Sequence, residues 1–569
     1  MSDSGTGTAP VEIAPPSPAT VRRLGAAFFL VAAVAMFTTE SDYGLASDVG
    51  NYFYSSLRQL AWLQEFLRAL LSGSPGEALA PDHVADQWRW MLIRVPHPPL
   101  SREISGLGWL VFRNALGDVT AYRVGVMVTY SALAGGCAAF TAGTARSLLA
   151  GVGAGLGILL IPVLFAHGHF AHTDLFLSAF WFGSAACLYA WTENPGMRSL
   201  VMSGLLLGAA LATKFTGLLA VPVLGIWLVL TRPRRLVPAV VVLGLAAALV
   251  FVASNPVMWT DPATGISDYL GAGVERSADV LNQIRTLYFG TLYVYRGPWH
   301  YPFVWTLIVL PPTILIAILA GLFDSRNSRL AGFCVLNAAV LYLALMVPSA
   351  PMHDGVRLIL PAFPFFAVLG GLGTARIAAG VARLPMVRGE VGRLVPGLLV
   401  VLAIFLPALA AVVRTHPFQL SYVNLFVGGV AGAERRGLEI TNIKDVLSQE
   451  VLDDLADVIP GGSVIDPGFL LEEICFNQTL GRAPRDWVVE TRWPSLIEGD
   501  PDLVLACEGT EVRAPTAIDR QPREPAYLLQ YARRAMWRPI DWAVHLEGDR
   551  PAYELSVEGV PLLRVFRLR

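Results

Sequence analysis

Charge is what this chain has least of. Only 15% of its 569 residues are charged, with 42 Lys and Arg against 44 Asp and Glu and a formal net charge of -2. No block of basic residues tracks a phosphate backbone, so nucleic acid is not an expected partner. Lysine is scarce, and arginine carries nearly all the positive charge. Cysteine is scarce as well: there are five, without a Cys-x-x-Cys pair or a zinc-finger spacing. Cys137, Cys187 and Cys334 fall inside apolar runs, whereas Cys475 and Cys507 lie in a polar tail and can pair if that tail faces an oxidising compartment. Apolar residues are abundant instead, at 54% with a mean hydropathy of +0.53. Their runs are long enough to cross a hydrocarbon layer of ~30 Å, which predicts a polytopic α-helical membrane protein.

The first 21 residues, rich in Ser, Thr, Ala, Gly and Pro, read as a disordered leader before Arg22, Arg23 and a retained first span with its N-terminus inside. Hydropathy predicts eleven spans, at 24–39, 121–143, 147–166, 171–191, 198–213, 215–230, 236–254, 303–323, 330–348, 358–378 and 394–413. The break at Thr213-Lys214-Phe215-Thr216-Gly217 is read as a turn rather than the middle of one long helix. With that hairpin, Arg146, Arg198, the Arg232 to Arg235 cluster, Arg326, Arg329, Arg383, Arg388 and Arg393 share the side of Arg22 and Arg23. All nine histidines then fall on the outer side, together with Asp48, Asp174, Asp261 and Asp354. No pair of interrupted segments in related halves is evident, as a transporter would need. Polar chemistry gathered at one surface favours an enzyme whose site opens outward.

Between the first two spans lies an outer loop, residues 40–120, too long to be a mere connector. Ser47-Asp48-Val49-Gly50-Asn51-Tyr52-Phe53 puts a carboxylate just beyond the first span, where an acid is tolerated far better than in the bilayer core. A solvated loop acid is the plain alternative. Tyr52, Phe53, Leu57, Leu60, Leu63, Phe66, Leu67 and Leu70 recur at helical spacing, so Asp48 stands at the N-terminal end of an amphipathic helix, lying in the interface or packed on the bundle. The loop continues to Val95-Pro96-His97-Pro98-Pro99-Leu100, where prolines stiffen the chain around one imidazole.

Asp48-x-x-x-Tyr52, His97-Pro98-Pro99-Leu100 and His172-Thr173-Asp174, in that order, resemble the GT-C glycosyltransferases, and among them the protein O-mannosyltransferase and lipid A aminoarabinose transferase group. Asn255-Pro256-x-x-Trp259-x-Asp261-Pro262, Pro298-Trp299-His300-Tyr301-Pro302 and Asp354-Gly355-Val356-Arg357 extend the likeness over about residues 24–430. Asp48 is followed by Val49 where that group often has a second acid. The resemblance implies a catalytic membrane module over residues 22–414. Its reaction would be transfer of a sugar from a polyprenyl-phosphate carrier to a hydroxyl-type acceptor on a protein, lipid or glycan, at the outer face of the inner membrane. Residue usage points to a bacterial source and so to an undecaprenyl carrier. Asp48 would act as general base in an inverting displacement, or else orient the acceptor or a metal. Asp174 matches the second family acid.

A phosphate leaving group needs fixed positive charge, for which Arg357 is the first candidate and Lys214 and His97 the next, with Tyr52 and Asp42 lining the donor site. For Arg357 the plain alternative is an interfacial anchor. His167, His169 and His172 surround Asp174; His169, His172 and Asp174 are a candidate set for a divalent metal ion, against hydrogen-bonded interfacial histidines. Residues 415–569 read as a soluble outer domain of α/β or α+β type, with strands at Val464-Ile465, Leu503 to Ala506 and Leu562 to Phe566. Ser421-Tyr422-x-Asn424 and Gly428-Gly429 resemble a tail-proximal motif of related transferases. The domain is either a binding module for acceptor or partner, or a structural cap. Two other classes stay open for the whole chain, a transporter of lipid-linked sugar and a noncatalytic scaffold.

Overall fold

The computed structural model describes residues 15–88, 97–278, 284–294, 296–348, 350–384, 394–493, 503–507, 516–517 and 523–568. Among the described residues seven helices are long and apolar enough to cross a membrane: Pro18–Asp42, Asp118–Thr144, Thr173–Glu193, Leu236–Ala253, Ser325–Leu345, Arg357–Val381 and Val395–Arg414. Shorter apolar helices cover Leu148–Leu160, Met197–Leu211 and Phe215–Thr231. The first helix starts at Pro18, inside the stretch read as leader, because the Ser17 hydroxyl caps it by accepting from the Thr20 N–H at 3.1 Å. Residues 1–14 of the leader lie outside the described residues.

Two expected spans are broken. The segment read as one span over 303–323 consists of Tyr301–Val309 and Pro312–Leu322, bent by 115°. Pro311 and Pro312 have no N–H to offer the helix, and each pushes the residue before it out of helical geometry, as the extended Leu310 shows. The span over 147–166 likewise stops at Leu160, with Ile161 extended before Pro162. Interrupted segments, which the sequence reading did not find, are therefore present. The Thr213–Gly217 turn is formed as expected, with Lys214 extended ahead of a 3-10 turn over Phe215–Leu219.

The helices approach closely where small residues meet. Gly321 faces the Leu369 carbonyl and Gly373 faces the Ala317 carbonyl, leaving no room for a Cβ on either side of that crossing. The loop helix, Val49–Leu71, does not float in the interface. Its buried face includes Tyr52, Phe53, Gln59, Leu60 and Trp62, and Ser56 Oγ donates to the Arg102 carbonyl at 2.9 Å. Arg123 is a clamp beneath the turn that precedes Asp48, with hydrogen bonds to the carbonyls of Glu40 at 2.9 Å, Tyr43 at 3.1 Å and Gly44 at 2.5 Å.

Beyond Arg414 the chain first returns to the bundle. The Asn424 amide donates to the carbonyls of Leu307 and Leu310 at 2.7 and 2.8 Å, satisfying carbonyls that the 310–312 break releases. A mixed sheet follows. Numbering the hairpin Arg285–Tyr288 and Thr291–Val294 as β1 and β2, the sheet strands are β3 (Val464–Asp466), β4 (Val488–Trp493), β5 (Leu503–Ala506), β6 (Thr516–Ala517), β7 (Tyr527–Tyr531), β8 (Tyr553–Val557) and β9 (Val560–Arg567). Their order is β6-β5-β4-β3-β7-β9-β8, parallel on both sides of β3 and antiparallel elsewhere. All three strand segments read from the sequence fall within β3, β5 and β9. A disulfide joins Cys475 to Cys507, tying the helix Leu471–Thr479 to the end of β5.

This domain is docked tightly on the first outer loop. The Ser47 N–H donates to the Ile443 carbonyl at 2.7 Å, the Asn51 amide donates to Glu472, and Gly50 lies flat against the Phe476 ring. At Gly44 a Cβ would stand 2.6 Å from the backbone of Leu447 and 2.7 Å from the Asp445 carbonyl oxygen. Backbone cannot yield as a side chain can, so Gly44→Ala is expected to lower stability by about 1–3 kcal/mol, read by thermal unfolding of the purified protein.

Candidate active site

Six charged side chains meet where the outer loop, the bundle and the sheet domain converge. Asp174 is the first-turn acid of the helix Thr173–Glu193 and is 2% exposed. Its Oδ1 accepts from Lys214 Nζ at 2.5 Å, and its Oδ2 accepts from Arg357 Nε at 2.8 Å. Arg357 also donates through Nη2 to Asp48 Oδ2 at 3.0 Å and through Nη1 to Asp354 Oδ2 at 3.2 Å. Asp354 Oδ1 in turn accepts from Arg533 Nη1 at 2.8 Å. Three carboxylates and three cations balance, which is what buried charge requires. Arg357 is thus a buried hub and not an interfacial anchor.

Local backbone explains the aim of each acid. Ser47 is held by Ile443 on one side and by His172, whose Nε2 meets its carbonyl, on the other. The next residue, Asp48, takes a left-handed φ of 66°, which Asp tolerates better than most residues. It occupies the N-cap position of Val49–Leu71, yet its side chain bonds no N–H of that helix; it is turned to Arg357 instead. With its side chain 26% exposed against 2% for Asp174, Asp48 is the more accessible acid. Asp354 and Gly355 are both left-handed, and the Gly355 N–H donates to the Tyr301 hydroxyl at 3.0 Å.

Burial pushes the Asp354 carboxyl up, but Arg533, His353 and Arg357 outweigh it and hold it well below the usual carboxylate range. A carboxyl depressed by folding stabilises the protein above its unfolded pKa and loses that contribution as the pH falls through its folded value. Arg533→Gln removes the strongest of these attractions. Its destabilisation is expected to be largest at neutral pH and to shrink as acid protonates the now raised Asp354, which melting temperatures of parent and variant across pH 7 to 4 will report.

The structure thus joins Asp48, Asp174, Lys214 and Arg357 directly. Tyr52 lies beside them, fully buried with a phenol pushed up by burial and then by Asp48. His97 sits one layer away: its carbonyl accepts from Arg102 at 3.0 Å, Arg102 lies over the Tyr52 ring, and the Leu100 N–H donates to the Ala212 carbonyl beside the Lys214 turn. Val95 and Pro96 lie outside the described residues. Asp42 is not part of the cluster; its Oδ2 pairs with His416 Nε2 at 2.8 Å.

The metal set His169, His172 and Asp174 does not converge. The helix expected to align the two histidines begins only at Thr173. His169 stacks on Tyr43 at 3.9 Å and uses both nitrogens, on the Phe165 carbonyl at 3.0 Å and the Thr39 hydroxyl at 2.9 Å. His172 serves Ser47, and both Asp174 oxygens are taken by cations. Among the described residues no group of three or more His, Cys, Asp or Glu is arranged to hold a metal ion.

Sequence reasoning missed Arg533 and Lys444. Lys444 pairs with Glu473 at 3.0 Å beneath the outer loop. Lysine scarcity was a usable signal, because Lys214 and Lys444 are the chain's two lysines and both are buried in ion pairs. Nothing in the sequence marks Arg533 among so many arginines.

A multi-span membrane protein with a buried carboxylate and arginine cluster under a C-terminal sheet domain is the class that fold and site define. Residues 97–259 match the family model described as dolichyl-phosphate-mannose-protein mannosyltransferase, which agrees with the GT-C resemblance drawn from the sequence. The matched segment holds His97, His169, His172, Asp174 and Lys214, whereas Asp42, Asp48, Tyr52 and Arg357 lie outside it. Among solved structures, ArnT from Cupriavidus metallidurans in the apo state is similar over 82% of this chain and 85% of its own, with 16% identity and a TM-score of 0.49. The same protein bound to undecaprenyl phosphate is similar over 95% of this chain and 97% of its own, with 13% identity and a TM-score of 0.49. No curated protein matches the chain.

Proposed function

We propose that this protein is a multi-pass membrane glycosyltransferase that moves a sugar from a polyprenyl-phosphate carrier to a hydroxyl-type acceptor. The observation that carries the reading is the contact of Arg357 Nη2 with Asp48, the most accessible acid of the cluster. A phosphate oxygen entering the site exchanges for the Asp48 carboxylate on Arg357, one anion for another. The phosphate gains a fixed guanidinium donor, and Asp48, left as an anion without its cation, becomes the group that takes a proton and so restores the balance of charge.

The step then balances simply. Asp48 accepts the proton of the acceptor hydroxyl, the acceptor oxygen forms its bond to the anomeric carbon, and the carbon to phosphate-oxygen bond breaks. The polyprenyl phosphate leaves with that electron pair beside Arg357 and Lys214. A single displacement of this kind inverts the anomeric centre. The family description that matches residues 97–259 names a polyprenyl-phosphate-linked sugar, in keeping with this donor class. The carrier in this reading is undecaprenyl phosphate in a bacterial inner membrane, with the N-terminus cytoplasmic and the site and sheet domain outside. The acceptor in this reading is a protein, a lipid or a glycan.

The broken helices at Ile161 and Leu310 favour a second reading, a transporter of lipid-linked sugar. Radiolabelled polyprenyl-phosphate sugars supplied to the purified protein with membrane extract separate the two. Labelled acceptor is the expected product; movement of labelled lipid across vesicles without transfer would reject the enzyme.

A further inference from the structure

One backbone hydrogen bond joins the outer loop to the sheet domain directly ahead of two charged residues. The Ser47 N–H donates to the Ile443 carbonyl at 2.7 Å. The residues that follow this pair, Asp48 and Lys444, both take a left-handed φ, 66° and 56°. Such a φ is uncommon outside glycine and persists only where the surroundings over-determine it. On the sheet side the Lys444 N–H donates to the Tyr531 hydroxyl at 3.0 Å. The Lys444 side chain is buried, with Nζ 4.5 Å from the centre of the Phe469 ring, 3.0 Å from Glu473 Oε1 and 3.9 Å from Glu472 Oε2. Glu472 in turn receives the Asn51 amide, one turn along the helix that Asp48 opens.

Docking alone does not need an ammonium here. The Ser47–Ile443 bond, the Asn51–Glu472 contact and Gly50 against Phe476 already hold the loop, and an apolar side chain would fill a dry interface without losing hydration. The charge acts on Asp48. Burial pulls the Lys444 ammonium down, but Glu473, Glu472 and, at longer range, Asp48 outweigh it and hold it above the ordinary lysine value. The attraction is mutual. Titratable groups reach Asp48 from four sides: Tyr52 on its own helix, His172 ahead of Thr173–Glu193, Arg357 with the acids it shares, and Lys444 with Glu472 and Glu473. Burial keeps His172 neutral, so Arg357 and Lys444 are the cations among these groups. On the glycosyltransferase reading above, we propose that Lys444 is a positioning residue of the sheet domain that keeps Asp48 ionised once the donor phosphate has taken Arg357, so that the base takes its proton from the acceptor and not from solvent.

Transfer rates across pH at saturating donor test this, with the full-length protein in nanodiscs, membrane extract as acceptor, and the mannosyl, glucosyl and galactosyl forms of undecaprenyl phosphate as donors. The base works only when ionised, so the rate falls as the pH drops through the Asp48 value in the donor complex. A nearby cation lowers that value, and its loss raises it. Lys444→Met should therefore move the acid limb up by about one pH unit, and Lys444→Arg should restore it. Glu472→Gln keeps the oxygen that accepts from Asn51 and removes an acid that shares the ammonium, so its limb should move down. Opposite shifts from the two sides of one ion pair cannot come from a shared loss of folding. A Lys444→Met protein slowed by the same factor at every pH, with its limb in place, would make Lys444 a structural residue only. Should that variant not fold, a Glu472→Gln limb that stays in place or moves up would overturn the proposal by itself. A parent that transfers none of the sugars rejects the glycosyltransferase reading and this role with it, whereas a parent that transfers while the variant limbs stay in place rejects only Lys444.

Discussion

Asp48→Asn is expected to lower sugar transfer by about 10²–10⁴-fold, the range that a positioned general base supplies. Asparagine keeps the size of the side chain and the oxygen that meets Arg357 Nη2 at 3.0 Å, so the left-handed turn and the helix behind it persist. What disappears is the ability to accept a proton. Initial rates with saturating donor, alongside donor binding, check this. Transfer should collapse while affinity for the polyprenyl phosphate holds or rises, because the neutral amide competes less well for Arg357. Transfer within about threefold of the parent would reject Asp48 as the base. A matched loss of binding and transfer would assign it a holding role instead.

The second large effect concerns stability as much as chemistry. Arg357→Gln leaves Asp48, Asp174 and Asp354 without their shared cation, while Lys214 stays paired with Asp174 and Arg533 with Asp354. Removing one partner from a buried ionic group typically costs ~3–5 kcal/mol, because the partners left behind stay charged in a dry place. A marked fall in melting temperature and loss of transfer are expected together. Arg357→Lys keeps the charge, but a single ammonium cannot reproduce a planar fork that serves three carboxylates in three directions, so it should fall between parent and Gln. An Arg357→Gln protein that melts with the parent would show that the cluster does not hold the outer loop to the bundle.

Much of this arrangement is legible in the chain. Hydrophobic runs mark most of the membrane helices, since the bilayer demands length and apolarity and little else. Asp48, Asp174, Lys214 and Arg357 stand out as polar residues beside apolar runs, and the structure joins them. Proline was the cue undervalued at 162 and 311–312: hydropathy averages over such positions, while the backbone breaks there. Asp42 and His169 misled because position along the sequence says nothing of direction; each is drawn aside by His416 or by Thr39 and Phe165. Arg533 was invisible because its meaning depends on a docking between domains that no local pattern encodes.

That docking has a consequence in time. The Asn51 to Glu472 contact spans 421 residues, and Arg357 reaches Asp48 across 309. At synthesis rates of about 5–20 residues per second, the loop that carries Asp48 waits roughly 20–80 s for the part of the sheet domain that clasps it. Its arginine is made 309 residues after it, and the cover arrives later still. A nascent or prematurely terminated chain therefore exposes the loop while lacking the assembled site, and competence arrives only with the last quarter of the polypeptide.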